Sequence, residues 1–108
     1  MTAKATARAL HARSVGKITL VAMGNNGTTR TDEDELCALH IRNLLEGRTE
    51  DREAVRQLIL AGGEAVLYRD PDRRHLHAGD LLIALDIDRY DFAIRVSLVN
   101  GRPIARAE

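Results

Sequence analysis

The spacing of hydrophobic positions changes several times along this chain, and each change marks an element. Residues 2–13, "TAKATARALHAR", are rich in helix formers and contain neither Gly nor Pro, which predicts a helix ending near Ser14 to Gly16. Residues 17–23, "KITLVAM", then run apolar without alternation between Gly16 and Gly24, the pattern of a strand covered on both faces within an α/β sheet. Beyond a polar loop, Leu36, Cys37, Ile41, Leu44 and Leu45 recur at helical period. Thr31 and Asp34 have the spacing of a capping box, and Gly47 supplies a left-handed stop. Residues 49–60 repeat this grammar, with Thr49 as cap, acids in the first turn, and Ala54, Val55, Leu58 and Ile59 on one side before Gly62 and Gly63.

Residues 64–79 are ambiguous, because "EAVLYRD" suits a short helix or a strand and "PDRRHLHAGD" is a polar loop opened by Pro71. Asp80 is placed to cap a short helix through "LLIAL", and residues 91–99, "DFAIRVSLV", alternate as a half-buried strand. Asn100-Gly101 is a strong type I′ hairpin signal, since both residues tolerate positive φ, and "RPIARA" forms the return strand. Pro103 has no N–H for a ladder, which assigns that strand to a sheet edge. The order of elements predicts an α/β fold: a mixed sheet with flanking helices and a carboxyl-terminal β-hairpin.

A chain of 108 residues supports one domain, 1–108, and one core, which must be aliphatic because the sequence holds two Tyr, one Phe and no Trp. Sixteen basic and sixteen acidic residues cancel, which removes the broad positive field of a nucleic-acid binder. No apolar run approaches the roughly 20 residues of a membrane helix. The single Cys37 makes no internal disulfide, and a reducing, cytoplasmic location is expected.

Candidate chemistry concentrates in "GNNGTTRTDEDELC", residues 24–37. The loop lies between a predicted strand and a predicted helix, where open α/β sheets bind ligands. Backbone N–H groups of Gly24, Asn25 and Gly27, the hydroxyls of Thr28 and Thr29 and the guanidinium of Arg30 suit a phosphate or carboxylate. The loop lacks the Gly-Lys-Ser/Thr ending of a P-loop. Asp32, Glu33, Asp34 and Glu35 follow immediately. Acids in a first turn need no function, since each gains about 0.3–1 kcal/mol from the helix dipole. Four in succession beside an anion would nevertheless repel it, and Mg²⁺ held by one or two carboxylates, water and substrate phosphate resolves the conflict. In "DIDRYDF", residues 86–92, a local ion pair in a turn competes with two functional readings: Asp91 as a further metal carboxylate, and Arg89 as a clamp for an acidic substrate. His75 and His77 are two apart without other ligands, weak grounds for zinc and better suited to a solvated loop. Cys37 falls on the apolar face of its helix as a small hydrophobe.

Together, "ITLVAMG", Glu33-Asp34 followed by Cys37-Ala38, a helix closing in "LLEG", and "LDIDRYDFAIRV" resemble the carboxyl-terminal part of the 2-phosphosulfolactate phosphatase family across nearly the whole chain. The resemblance implies a Mg²⁺-dependent hydrolase that releases phosphate from 2-phosphosulfolactate or a related 2-hydroxy acid phosphate, a step of coenzyme M synthesis. Glu33 and Asp34 match acidic positions of the family motif, which implies metal or acid/base roles. Family members are longer, with an amino-terminal Asp-Val-Leu-Arg-Ala-Ser/Thr segment that this sequence lacks. The abrupt helix at Met1 accordingly reads as the carboxyl-terminal portion of a longer phosphatase, expected to self-associate or to join a missing amino-terminal half. The competing expectation is a non-catalytic α/β module that binds a partner chain or an anionic ligand. A nucleotide-binding domain ranks below both, for want of G-x-G-x-x-G spacing.

Overall fold

The computed structural model describes residues 2–49 and 51–108. Met1, read as an abrupt start, and Glu50, read as a first-turn acid, lie outside the described residues. The chain mixes helix and strand in the order α1 (Ala3–Ala12), α2 (Asp32–Leu45), α3 (Arg52–Ala61), α4 (Gly63–Leu67), α5 (Ala78–Ala84), β1 (Ile94–Val99) and β2 (Arg102–Ala107).

Helix α2 is the hub, in contact with α1 and with α3 and α4. Ala3, Ala5 and Ala7 are buried on α1, and their small side chains let that helix lie close to α2. On another flank Ile59, Ala65, Leu81 and Leu85 form the aliphatic core, with Leu36, Val55, Leu60 and Tyr68 packed against it. The end of α2 is a Schellman motif: Arg48 N–H donates to Asn43 O at 2.9 Å and Gly47 N–H to Leu44 O at 3.3 Å, with Gly47 at φ 65°. The predicted stop at Gly47 is therefore realised. Helix α1 begins under a distant cap, the Asp88 carboxylate accepting Lys4 N–H at 2.7 Å.

Two predicted caps differ. Helix α3 is capped by Asp51, whose carboxylate accepts Ala54 N–H at 2.9 Å, instead of by Thr49. Thr31 occupies the N-cap of α2 without a side-chain bond, and the Asp34 carboxylate accepts Gly24 N–H, so no capping box closes. The ambiguous 64–79 stretch resolves into α4 and a loop, and α5 starts at Ala78, so that Asp80 sits in its first turn instead of capping it.

The predicted mixed sheet is smaller than its pattern suggested. Among the described residues the sheet has two strands, β1 and β2, antiparallel, with Val96 opposite Ala105 and Leu98 opposite Pro103. Asn100 and Gly101 take φ 51° and 75°, as a type I′ turn requires. Residues 17–23 carry no strand, and Val21 and Met23 are exposed. Continuous apolarity predicts cover on both faces, but among the described residues no neighbouring strand lies beside this segment to supply a ladder.

Removing the observed cap should separate the two cap assignments. Asp51→Ala is expected to lower stability by about 1 kcal/mol, and Thr49→Ala to leave it within about 0.5 kcal/mol, both read from urea denaturation midpoints.

Candidate functional site

The loop at residues 24–31 closes on itself. Asn25 N–H donates to Thr29 O at 2.8 Å, while Thr28 and Thr29 N–H both reach Asn25 O at 3.2 Å. The Thr28 hydroxyl also donates to Asn25 O, at 3.3 Å. Asn26 and Gly27 take φ 53° and 68° at its tip. Gly24, at φ 63°, is demanded by contact as well as conformation: a Cβ there would lie 2.1 Å from Thr29 O. The donors of Gly24, Asn25, Thr28 and Thr29 are thus engaged inside the protein, and the open anion cradle expected of this loop is not formed from them.

The four acids after the loop have separate fates. Asp34 accepts Gly24 N–H at 2.6 Å, a charge-assisted bond that ties the loop to the first turn of α2. Asp32 accepts Gly63 N–H at 3.3 Å and so joins α2 to the start of α4. Glu35 takes Arg30 in a two-pronged pair, 2.9 Å from Nε and 2.8 Å from Nη2. That contact holds the Glu35 carboxyl below its ordinary pKa and raises that of Arg30, chiefly through the shared hydrogen bond. The Arg30 guanidinium, read as a phosphate ligand, therefore already has an anion. Glu33 differs: its Oε2 is buried with no hydrogen-bond partner among the described residues.

Glu33 borders two adjoining clefts. One, of about 240 Å³, is lined by Gly24, Asn25, Thr31, Glu64, Tyr68, Arg73 and His75 among others. The other, of about 230 Å³ and mostly apolar, also reaches Asp34, Cys37, Glu64 and Tyr68. The buried Thr31 hydroxyl likewise lacks a partner. A guanidinium, an imidazole, three carboxylates (Glu33, Asp34 and Glu64), a phenol and a hydroxyl thus gather where the loop, the α2 amino end, α4 and the loop after it meet. Glu64, Tyr68, Arg73 and His75 belong to the segment whose structure the hydrophobic pattern left open. The basic run "RRH" was the available signal, and its spacing alone suggested a solvated loop.

The remaining predicted residues stand apart. Arg89 pairs with Asp86 at 3.1 Å, the local ion pair of the plainer reading, and lines a separate cleft of about 360 Å³ with Arg56 and Leu82. Asp91 is exposed and lends its carbonyl to Arg8 at 3.1 Å. It lines neither Glu33 cleft, so the proposed metal trio of Glu33, Asp34 and Asp91 is not brought together. Among the described residues no three His, Cys, Asp or Glu groups converge as metal ligands. Burial, and secondarily the Asp34 charge, pushes the Cys37 thiol above its ordinary pKa, away from the thiolate a nucleophile needs. No helix among the described residues is long and apolar enough to cross a membrane.

No family model, curated protein or solved structure matches the chain.

Two glycines of one loop give a graded test of its geometry. Gly27→Ala, at positive φ in open space, should cost about 1 kcal/mol. Gly24→Ala, which also meets the Thr29 carbonyl, should cost about 2 kcal/mol or more by urea denaturation. Cys37 should react with iodoacetamide more slowly than a free thiol at mildly alkaline pH. Its raised pKa also fixes the sign of linkage: the unfolded thiol ionises first, so stability falls as pH rises through the ordinary thiol range.

Proposed function

We propose that the chain carries the phosphate-binding part of a Mg²⁺-dependent phosphatase of the 2-phosphosulfolactate phosphatase type, acting on a 2-hydroxy acid phosphate. The observation that carries this reading is the half-buried Glu33, whose Oε2 is buried without a hydrogen bond at a cleft that also holds Arg73 and His75. A buried carboxylate oxygen without a hydrogen bond costs free energy, and a ligand that satisfies it recovers that cost.

The donor set fits Mg²⁺, which commonly takes one or two carboxylates and completes its octahedron with water and substrate oxygen. Glu33, with Glu64 on the same clefts, would hold the ion, and the chemistry it would supply is neutralisation of phosphate charge. In this reading the phosphate is bound by the cleft instead of by the loop. The Arg73 guanidinium is suited to pair with its oxygens, the imidazole of His75 to carry a proton toward the leaving oxygen, and the Thr31 hydroxyl to donate a hydrogen bond. Positioning and charge neutralisation carry most of phosphoryl transfer, so loss of one contact lowers kcat more than it raises KM. Asp34 serves the site by its bond to Gly24, which fixes the loop wall.

The non-catalytic reading is favoured by one separate observation, the large apolar side chains exposed along the hairpin.

Phosphate release from 2-phosphosulfolactate, assayed with Mg²⁺ and with EDTA, tests the proposal. Metal-dependent turnover is expected, reduced about 100-fold or more in Glu33→Gln with the urea midpoint little changed. Turnover that survives EDTA rejects the Mg²⁺ mechanism. No turnover at any Mg²⁺ concentration favours the non-catalytic module.

A further inference from the structure

The hairpin has two unlike faces. Side chains alternate along each strand, so the observed register places Ile94, Val96 and Leu98 of β1 on the same face as Ala107, Ala105 and Pro103 of β2. That face contains no charged or hydrogen-bonding side chain. The opposite face carries Arg95 directly across from Arg106, with Arg102 opposite Val99.

The apolar face is open. Ile94 is 60%, Val96 62% and Leu98 76% exposed, and no helix packs on the hairpin to any large extent. The chain as a whole is short of cover. Its accessible surface is 7982 Å², against about 5,900 Å² for a compact monomer of 11.9 kDa. Its radius of gyration is 15.2 Å, where a chain of this length packs to about 13 Å. That excess of about 2,000 Å² belongs to the whole chain, with the hairpin face as one part of it, and is larger than the roughly 800 Å² per partner that one standard interface buries.

We propose that two copies of this chain associate face to face through Ile94, Val96, Leu98, Pro103, Ala105 and Ala107, about a two-fold axis near Val96, as two stacked two-stranded sheets. The inference is independent of the phosphatase reading. Charge selects the second copy and its orientation. The opposite face, where Glu108 offsets only part of the charge of Arg95, Arg102 and Arg106, would set those arginines against their own equivalents, whereas the apolar face meets its copy without opposing any like charges. Extension by strand addition at β2 is impeded by Pro103. Ala93 and Glu108 exchange both backbone bonds, at 2.8 and 2.9 Å, so alternation puts the Pro103 nitrogen on the outer edge, where it donates nothing. Stacking, by contrast, needs only the observed faces, separated by about 10 Å as sheets commonly are.

Sedimentation equilibrium of the full chain is expected to give twice the 11.9 kDa chain mass at micromolar concentration. Val96→Asp places a charge at the centre of the apolar face and is expected to return the mass to that of one chain. Ser97→Asp, one residue along and on the arginine face, is expected to leave the dimer intact. Circular dichroism of both variants checks that the helices persist, since neither position belongs to the helical core. A wild-type chain that sediments as a monomer, or as polydisperse aggregate, overturns the proposal. So does dissociation by Ser97→Asp to the same degree as by Val96→Asp.

Discussion

The hydrogen bond from Gly24 N–H to the Asp34 carboxylate, 2.6 Å long, organises the region on which the functional reading depends. It pins the 24–31 loop against the first turn of α2 while the Asn25–Thr29 bonds keep that loop closed. Gly24 can take part only because it has no Cβ, as the Thr29 carbonyl occupies the space a side chain would need. With the loop held there, Gly24 and Asn25 become a wall of the cleft at Glu33 instead of a cradle open to solvent.

The same bond resolves the tension between a loop suited to an anion and the four acids that follow it. Three of the acids act as local structural partners: Asp32 for Gly63, Asp34 for Gly24, and Glu35 for Arg30. Their negative charge is offset by two backbone donors and a guanidinium, besides the helix dipole they all share. One carboxylate therefore remains to act on a ligand. Glu64 borders the same clefts, so a pair of carboxylates forms from different helices instead of from neighbours in sequence. Successive residues in a helix diverge by about 100° around its axis, which makes adjacent Glu33 and Asp34 poor candidates for identical roles.

Local grammar made much of the fold legible. The helix stop at Gly47, the Asn100-Gly101 turn and the strands flanking it depend on backbone conformations that particular residues favour, and those survive any tertiary context. Partner choice was not legible. Thr31 and Asp34 have capping-box spacing, but a backbone donor ten residues before Asp34 takes its carboxylate. Asp88 stands in a turn that reads as a local ion pair, and its carboxylate caps α1, 84 residues away. The apolar run at 17–23 states what surface it needs covered without stating what covers it. In the candidate site the acids were legible as a cluster, while Glu64, Tyr68, Arg73 and His75 were not, because their approach to Glu33 is set by how α4 packs.

Where those four residues sit bears on how such a site must work. Glu64 and Tyr68 are partly buried on or beside a helix that contributes Ala65 to the core, so the carboxylate side of the cleft is preorganised. Arg73 and His75 are exposed on the loop between α4 and α5, and Arg73 pairs with Asp70 at 3.7 Å. An exposed pair at that distance contributes little, so drawing Arg73 toward an anion sacrifices little. Ordering the loop does carry an entropic cost, about 1–2 kcal/mol for each residue fixed. On the proposed reading, a ligand with enough acceptor oxygens to engage both the Arg73 guanidinium and the His75 imidazole would offset that cost. On that reading, selection of a phosphate ester over a carboxylate would come from the energy needed to close the loop more than from the shape of the cleft.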